Sequence, residues 1–179
     1  MKNSVIGIVE TELQADTVVD ELQANNVPSE DISVLFPDTR GTHDFAHEHN
    51  TKAPEGAVAG VSAGGVIGGT VGVLAGIGAL AIPGVGPFIA AGPLLAALSG
   101  AAAGAAVGGL AGALVGLGIP EIEAKTYEGK IKGGNILIAV HSEDARTEKT
   151  AKRIFEAHAA HDIAVTAEAA VPKSHNTHA

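Results

Sequence analysis

His43, Asp44, His47, Glu48 and His49 form the densest group of metal-capable side chains in the chain. His43 and His47 stand four apart, so on a helix they share a face, a spacing that zinc sites use. Two imidazoles beside a carboxylate supply the donors of a divalent-cation site, with His43, His47 and His49 as candidate ligands. The competing reading is a solvated polar linker, because no second ligand pair with the same logic follows. His175 and His178 belong to a polar tail and weigh less. His141 ends an apolar run, whereas His158 and His161 are expected near a helix C-terminus. There the negative end of the helix dipole favours an imidazolium, so the expected role is stabilising rather than catalytic. A pH-sensing role for the histidines has no spacing behind it.

Other chemistries are absent by residue type or by spacing. The chain has no cysteine, which excludes a disulfide scaffold, a thiol nucleophile and a Cys-ligated metal. Gly60, Gly64 and Gly65 do not have the spacing of a dinucleotide fingerprint, and no Gly-Lys-Ser/Thr phosphate loop exists. No zinc-protease helix occurs. The expectation is a protein that is not an enzyme and needs no cofactor. A net charge of −9 argues against nucleic acid as a partner.

The glycines carry the strongest pattern. Gly56, Gly60, Gly64, Gly68, Gly72 and Gly76 recur every four residues, and Gly100, Gly104, Gly108, Gly112 and Gly116 repeat the spacing. Residues four apart form a ridge on a helix, and glycine there leaves a groove in which a second backbone can lie close. The candidate helix-packing and oligomerisation residues are these glycines from Gly60 onward. Between the stripes, Ile82-Pro83-Gly84-Val85-Gly86-Pro87 and Gly92-Pro93 are turn chemistry. The reading is a two-helix hairpin with helices over 57–82 and 94–118, each roughly 37–39 Å long at 1.5 Å per residue.

Charge divides the chain around that hairpin. Residues 1–55 hold eleven acids and three bases, residues 56–120 hold no charged residue, and residues 121–179 hold nine acids and eight bases. A helix apolar on all sides is buried in protein or in lipid, and each predicted helix exceeds the roughly 30 Å of a hydrocarbon core. Lys52 before the run and Lys125, Lys130 and Lys132 after it would place both ends on the cytoplasmic side. Glycine costs a helix about 1 kcal/mol per residue, so a single such helix is marginal in water and in a bilayer. Packing against its partner helix and against further copies must supply the rest. The partners expected are therefore a lipid bilayer and other copies of the chain. The alternative is a soluble particle or filament with a dry glycine and alanine core.

The flanks read as two halves of one domain. Ser4 to Val9 is a β-rich run, Thr11 with Gln14 has the spacing of a capping box, and Ala15, Val18, Val19 and Leu22 share a helical face. Asn25 and Asn26 are stop residues, and Ile32 to Phe36 is a second strand before Pro37. That makes a βαβ unit with parallel strands. Pro120 begins a helix with Ala124, Tyr127 and Ile131 on one side, and Gly133 and Gly134 end it. Ile136 to Val140 is a buried strand. Ser142 is expected to cap a helix bearing Ala151, Ile154 and Phe155, and Ile163, Val165 and Ala167 alternate as a last strand. The fold class expected is α+β, a ferredoxin-like α/β sandwich split by the hairpin. Its parts are a first half at 1–40, a polar histidine-containing linker at 41–55, the hairpin at 56–120, a second half at 121–170 and a disordered tail at 171–179. No targeting signal is expected, because Glu10 and Glu12 interrupt the first apolar stretch.

Thr51-Lys52-Ala53-Pro54-Glu55-Gly56-Ala57, Ile82-Pro83-Gly84-Val85-Gly86-Pro87-Phe88 and Gly118-Ile119-Pro120-Glu121 resemble the bacterial general stress protein (17M-type) family. So do Glu123-Ala124-Lys125, Tyr127-Glu128-Gly129 and the Ile136–His141 strand. The resemblance covers most of residues 45–142, and related chains are labelled low-temperature-induced or heat-induced stress proteins. It implies a bacterial stress-associated protein without an assigned catalytic activity and supplies no site residues. Joined to the hairpin, it leads to the expectation of a non-enzymatic stress protein in the cytoplasmic membrane, with both termini in the cytoplasm. A soluble cytoplasmic self-assembly is the alternative. A regulatory ligand-binding module is a third reading, on fold analogy alone.

Overall fold

Thr11 opens the first helix as its spacing requires. Its Oγ1 accepts the Gln14 N–H at 3.1 Å, and Gln14 Oε1 reaches back to the Glu10 N–H at 3.0 Å. In the computed structural model, which describes residues 3–37, 77–82, 86–94, 98, 102–116 and 118–167, this helix is α1 (Glu12–Ala24). It lies between β1 (Asn3–Val9) and β2 (Ile32–Pro37). It stops at Asn25, and Asn26 takes φ 63°, a left-handed conformation that Asn tolerates.

Next come β3 (Ile77–Ile82), β4 (Gly86–Ala91), α2 (Ala102–Gly116) and α3 (Glu121–Lys132). β5 (Ile136–Ser142), α4 (Ala145–Ala157) and β6 (His161–Ala167) complete the order. Along α3 two i,i+4 ion pairs form, Glu121–Lys125 at 2.6 Å and Glu128–Lys132 at 2.5 Å. Gly134, at φ 101°, turns the chain into β5. The cap of α4 is Asp144 rather than Ser142, with Asp144 Oδ2 accepting the Thr147 N–H at 3.3 Å. Ser142 is still in the strand, and its Oγ instead accepts the Asp144 N–H at 2.9 Å.

The strands form a six-stranded sheet in the order β3-β4-β2-β5-β1-β6, with every neighbouring pair antiparallel. β1 and β2 both run against β5 and so are parallel to each other, as a βαβ unit demands. α4 makes the matching crossover from β5 to β6 over β1.

Each face of the sheet packs its own apolar cluster. Val5, Val9, Ile32, Val34, Ile136, Ile138 and Val140 meet Val18, Leu22, Ile154 and Phe155 of α1 and α4. Ile6, Ile8, Leu35, Phe88, Leu137 and Ala139 meet Leu110, Leu114, Tyr127 and Ile131 of α2 and α3. Burial on both faces is why β5 is apolar at successive positions instead of alternating. In β6, Thr166 is buried while Val165 is 50% exposed, so the alternating apolar set does not supply the buried position.

The uncharged block therefore contributes to this core. The helix expected over 57–82 does not include its last six residues, because Ile77–Ile82 is β3, paired throughout with β4. Glycine is a poor helix former, and the β-branched residues at both ends of this segment suit a strand. Of the helix expected over 94–118, Leu94 and Leu98 are helical and Ala102–Gly116 forms α2, interrupted at Gly109 with φ 62° and ψ −155°. Among the described residues, no helix is long and apolar enough to cross a membrane.

Candidate functional site

The register of the sheet gathers polar groups on the face covered by α2 and α3. Ser4 stands opposite His141 on β5 and opposite Thr166 on β6, while Ser33 of β2 stands opposite Ala139, two residues from His141. The imidazole bridges two serines, with Nδ1 at 3.0 Å from Ser4 Oγ and Nε2 at 2.8 Å from Ser33 Oγ. Ser33 Oγ also accepts the Leu94 N–H at 2.9 Å. Exposure is 0% for Ser33, 5% for Ser4 and 8% for both His141 and Thr166.

One assignment runs continuously through the group. The Leu94 N–H donates to Ser33 Oγ, the Ser33 hydroxyl donates to Nε2, and the Nδ1–H donates to Ser4 Oγ. A serine nucleophile beside its base needs an oxygen that substrate can reach. Ser33 has no exposure, and its oxygen is held by a backbone amide. The arrangement is a buried tie between β1, β5, β2 and the segment after β4. Gly92 makes the tie possible: at φ 79°, a Cβ there would lie 2.1 Å from the Ile32 carbonyl oxygen. Only glycine allows that approach.

A second polar group links α1 to the end of α4. His158 Nε2 meets Glu21 Oε2 at 2.5 Å, and Arg153 lies 3.9 Å from the same carboxylate. Gln14 Nε2 donates to the His158 carbonyl, and exposed His161 lies 3.3 Å from Glu10. His158 is the C-cap of α4, where a stabilising imidazole was expected.

Breaking α2 at Gly109 creates a new helix start whose first amides lack partners within the helix. Glu128 of α3 meets one of them, its Oε2 accepting the Ala111 N–H at 2.5 Å while Oε1 takes Lys132 Nζ. Burial pushes the Glu128 carboxyl up, but the Lys132 hydrogen bond, the Ala111 amide and the Lys132 charge together hold it below the usual range.

A groove of about 190 Å³ between α3 and β6 is lined by Ile122, Glu123, Thr126, Tyr127, Asp162, Ile163 and Ala164. Burial, with the Glu123 and Asp162 charges, raises the Tyr127 hydroxyl well above its ordinary value. It remains protonated and donates to the Asp162 carbonyl at 3.0 Å.

Among the described residues, no group of three or more His, Asp or Glu could hold a metal ion. His43, His47 and His49 lie outside those residues, as do Gly60, Gly64, Gly68, Gly72, Gly76 and Gly100. Gly104, Gly108, Gly112 and Gly116 all lie on α2. A Cβ at Gly116 would meet open space, so close contact within the chain does not require glycine there. The polar row of Ser4, Ser33, His141 and Thr166 was not anticipated as a unit. Its only sequence signal is a hydroxyl or imidazole set into each of four apolar strands.

Residues 4–81 match the family model of the heat induced stress protein YflT domain. The matched stretch runs from β1 into β3 and covers under half of the chain, so the stress-family resemblances at 82–88 and 118–141 lie beyond it. No curated protein and no solved structure matches the chain.

Proposed function

We propose that this protein is a non-enzymatic stress-response protein that acts by associating with further copies of itself. Its frame on this reading is a ferredoxin-like unit, supported by the order β6-β1-β5-β2 with α1 and α4 crossing one face. The stress role is supported by the match of residues 4–81 to a heat induced stress protein domain.

The observation that carries self-association is the run over 56–120 without one charge in a chain of net charge −9. An uncharged, apolar run of that length calls for cover. Phe88, Leu94, Leu98, Leu110 and Leu114 are covered by the chain's own sheet and helices; further copies are proposed to cover the rest. A bilayer is the less favoured cover, since Ile77–Ile82 is a strand and Gly109 interrupts α2.

Sedimentation of the native protein without detergent, beside a carbonate-washed membrane fraction, tests this reading. It predicts one oligomeric species in the detergent-free supernatant. A monomer at all concentrations, or retention in the washed membranes with release by detergent, would overturn it.

A further inference from the structure

The two ends of the sheet are guarded differently. At one end, β6 begins with His161 and Asp162; Asp162 has φ 51° and pairs with Lys130 at 2.7 Å. The register between β1 and β6 also shifts between Ile6 and Ile8. Charge and irregularity of this kind keep an edge strand from adding another.

The other end has neither device. β3 reads Ile77-Gly78-Ala79-Leu80-Ala81-Ile82, and neither it nor β4 holds a charged residue. Its inner edge pairs with β4 without a shift, from Ile77↔Ala91 to Ile82↔Gly86. Among the described residues, nothing pairs with its outer edge. A regular, uncharged edge without proline is the pattern that accepts a further strand.

We propose that the outer edge of β3 pairs antiparallel with β3 of a second copy of the chain, joining two sheets across a two-fold axis. This rests on the self-association reading above and names its interface. Charge places the contact between copies on this edge. The chain carries −9, and its first 55 residues hold eleven acids against three bases, so copies repel over much of their surface. At β3 two copies meet with no like charges opposed on the paired strands. An antiparallel pair of identical strands is also isologous, so the N–H and C=O groups of one edge answer those of the other.

Native mass decides the proposal, using Ala79→Lys combined with Ala81→Lys, and Val165→Lys at the opposite edge as control. The β3 variant should fall to monomer at concentrations where the native chain is dimeric or larger, while the control keeps the native mass. A folded β3 variant of native mass overturns the proposal. Should the lysine variant fail to fold, single cysteines decide, because the chain has none of its own. Oxidation of single-cysteine variants Gly78→Cys, Ala79→Cys, Leu80→Cys and Ala81→Cys should then give an inter-chain disulfide at the residue on the axis, and no cross-link from any of them overturns the pairing. A native chain that is monomeric throughout removes the self-association reading itself. A native oligomer insensitive to the β3 changes but dissociated by Gly68→Leu or Gly108→Leu keeps that reading and removes this interface.

Discussion

Ser33 shows how much can depend on one hydroxyl. It joins a strand from the first part of the chain to the backbone of Leu94 in the uncharged block, and it is fully buried. Ser33→Ala leaves the Leu94 N–H and one nitrogen of His141 without that partner, which should cost about 1–3 kcal/mol. The urea midpoint should fall accordingly with an unchanged slope. Gly92→Ala should cost about 1–2 kcal/mol from the left-handed backbone alone, and more because the atom in its way is the Ile32 carbonyl oxygen. A midpoint equal to the native one would contradict the close approach. The turn role of Gly92-Pro93 was readable from residue type. The polar row was not, because Ser4 and Ser33 lie 137 and 108 residues from His141 and meet it only through sheet register.

Among the elements, α2 and α3 depend on each other through Glu128. With Ala111 and Lys132 at its two oxygens and its side chain 17% exposed, the carboxylate serves the helix start that Gly109 creates. Glu128→Gln keeps an acceptor and loses the charge, which should lower stability at neutral pH by about 0.5–2 kcal/mol. The sign with pH follows from its lowered carboxyl. Its contribution is complete above the unfolded value of about 4.3 and is lost as pH falls from there through the folded value. The difference in stability between native and Gln proteins should therefore shrink on acidification across that window. A constant difference from neutral pH to below it would refute the role of the charge. Helices α1, α3 and α4 were legible because their apolar residues recur at three and four. The segment before Pro83 was misleading. Glycines at every fourth position read as a helix ridge, but Ile77–Ile82 is a short continuous apolar run that suits a buried strand as well, and pairing with β4 decides between them.

For the whole molecule, the consequence is that the described part of the uncharged block is structural and not merely appended. Leu98, Leu110 and Leu114 share one cluster with Ile6, Ile8 and Leu137 from the flanking parts. Each large aliphatic side chain so buried contributes about 1.5–3 kcal/mol, so the two parts should lose structure together. The charge map revealed that the block was distinct. It could not reveal the packing, because an uncharged helix is equally suited to lipid, to another copy or to this sheet. Native-state hydrogen exchange of the full chain tests the point most directly, since amides that open only on global unfolding report one cooperative unit. Shared core packing predicts that the sheet-paired amides of Phe88–Ala91 and the helical amides of Ala113 and Leu114 exchange with the same free energy as those of Leu137–Val140. Fast, independent exchange at Phe88–Ala91 and at Ala113 and Leu114, with Leu137–Val140 still protected, would contradict it.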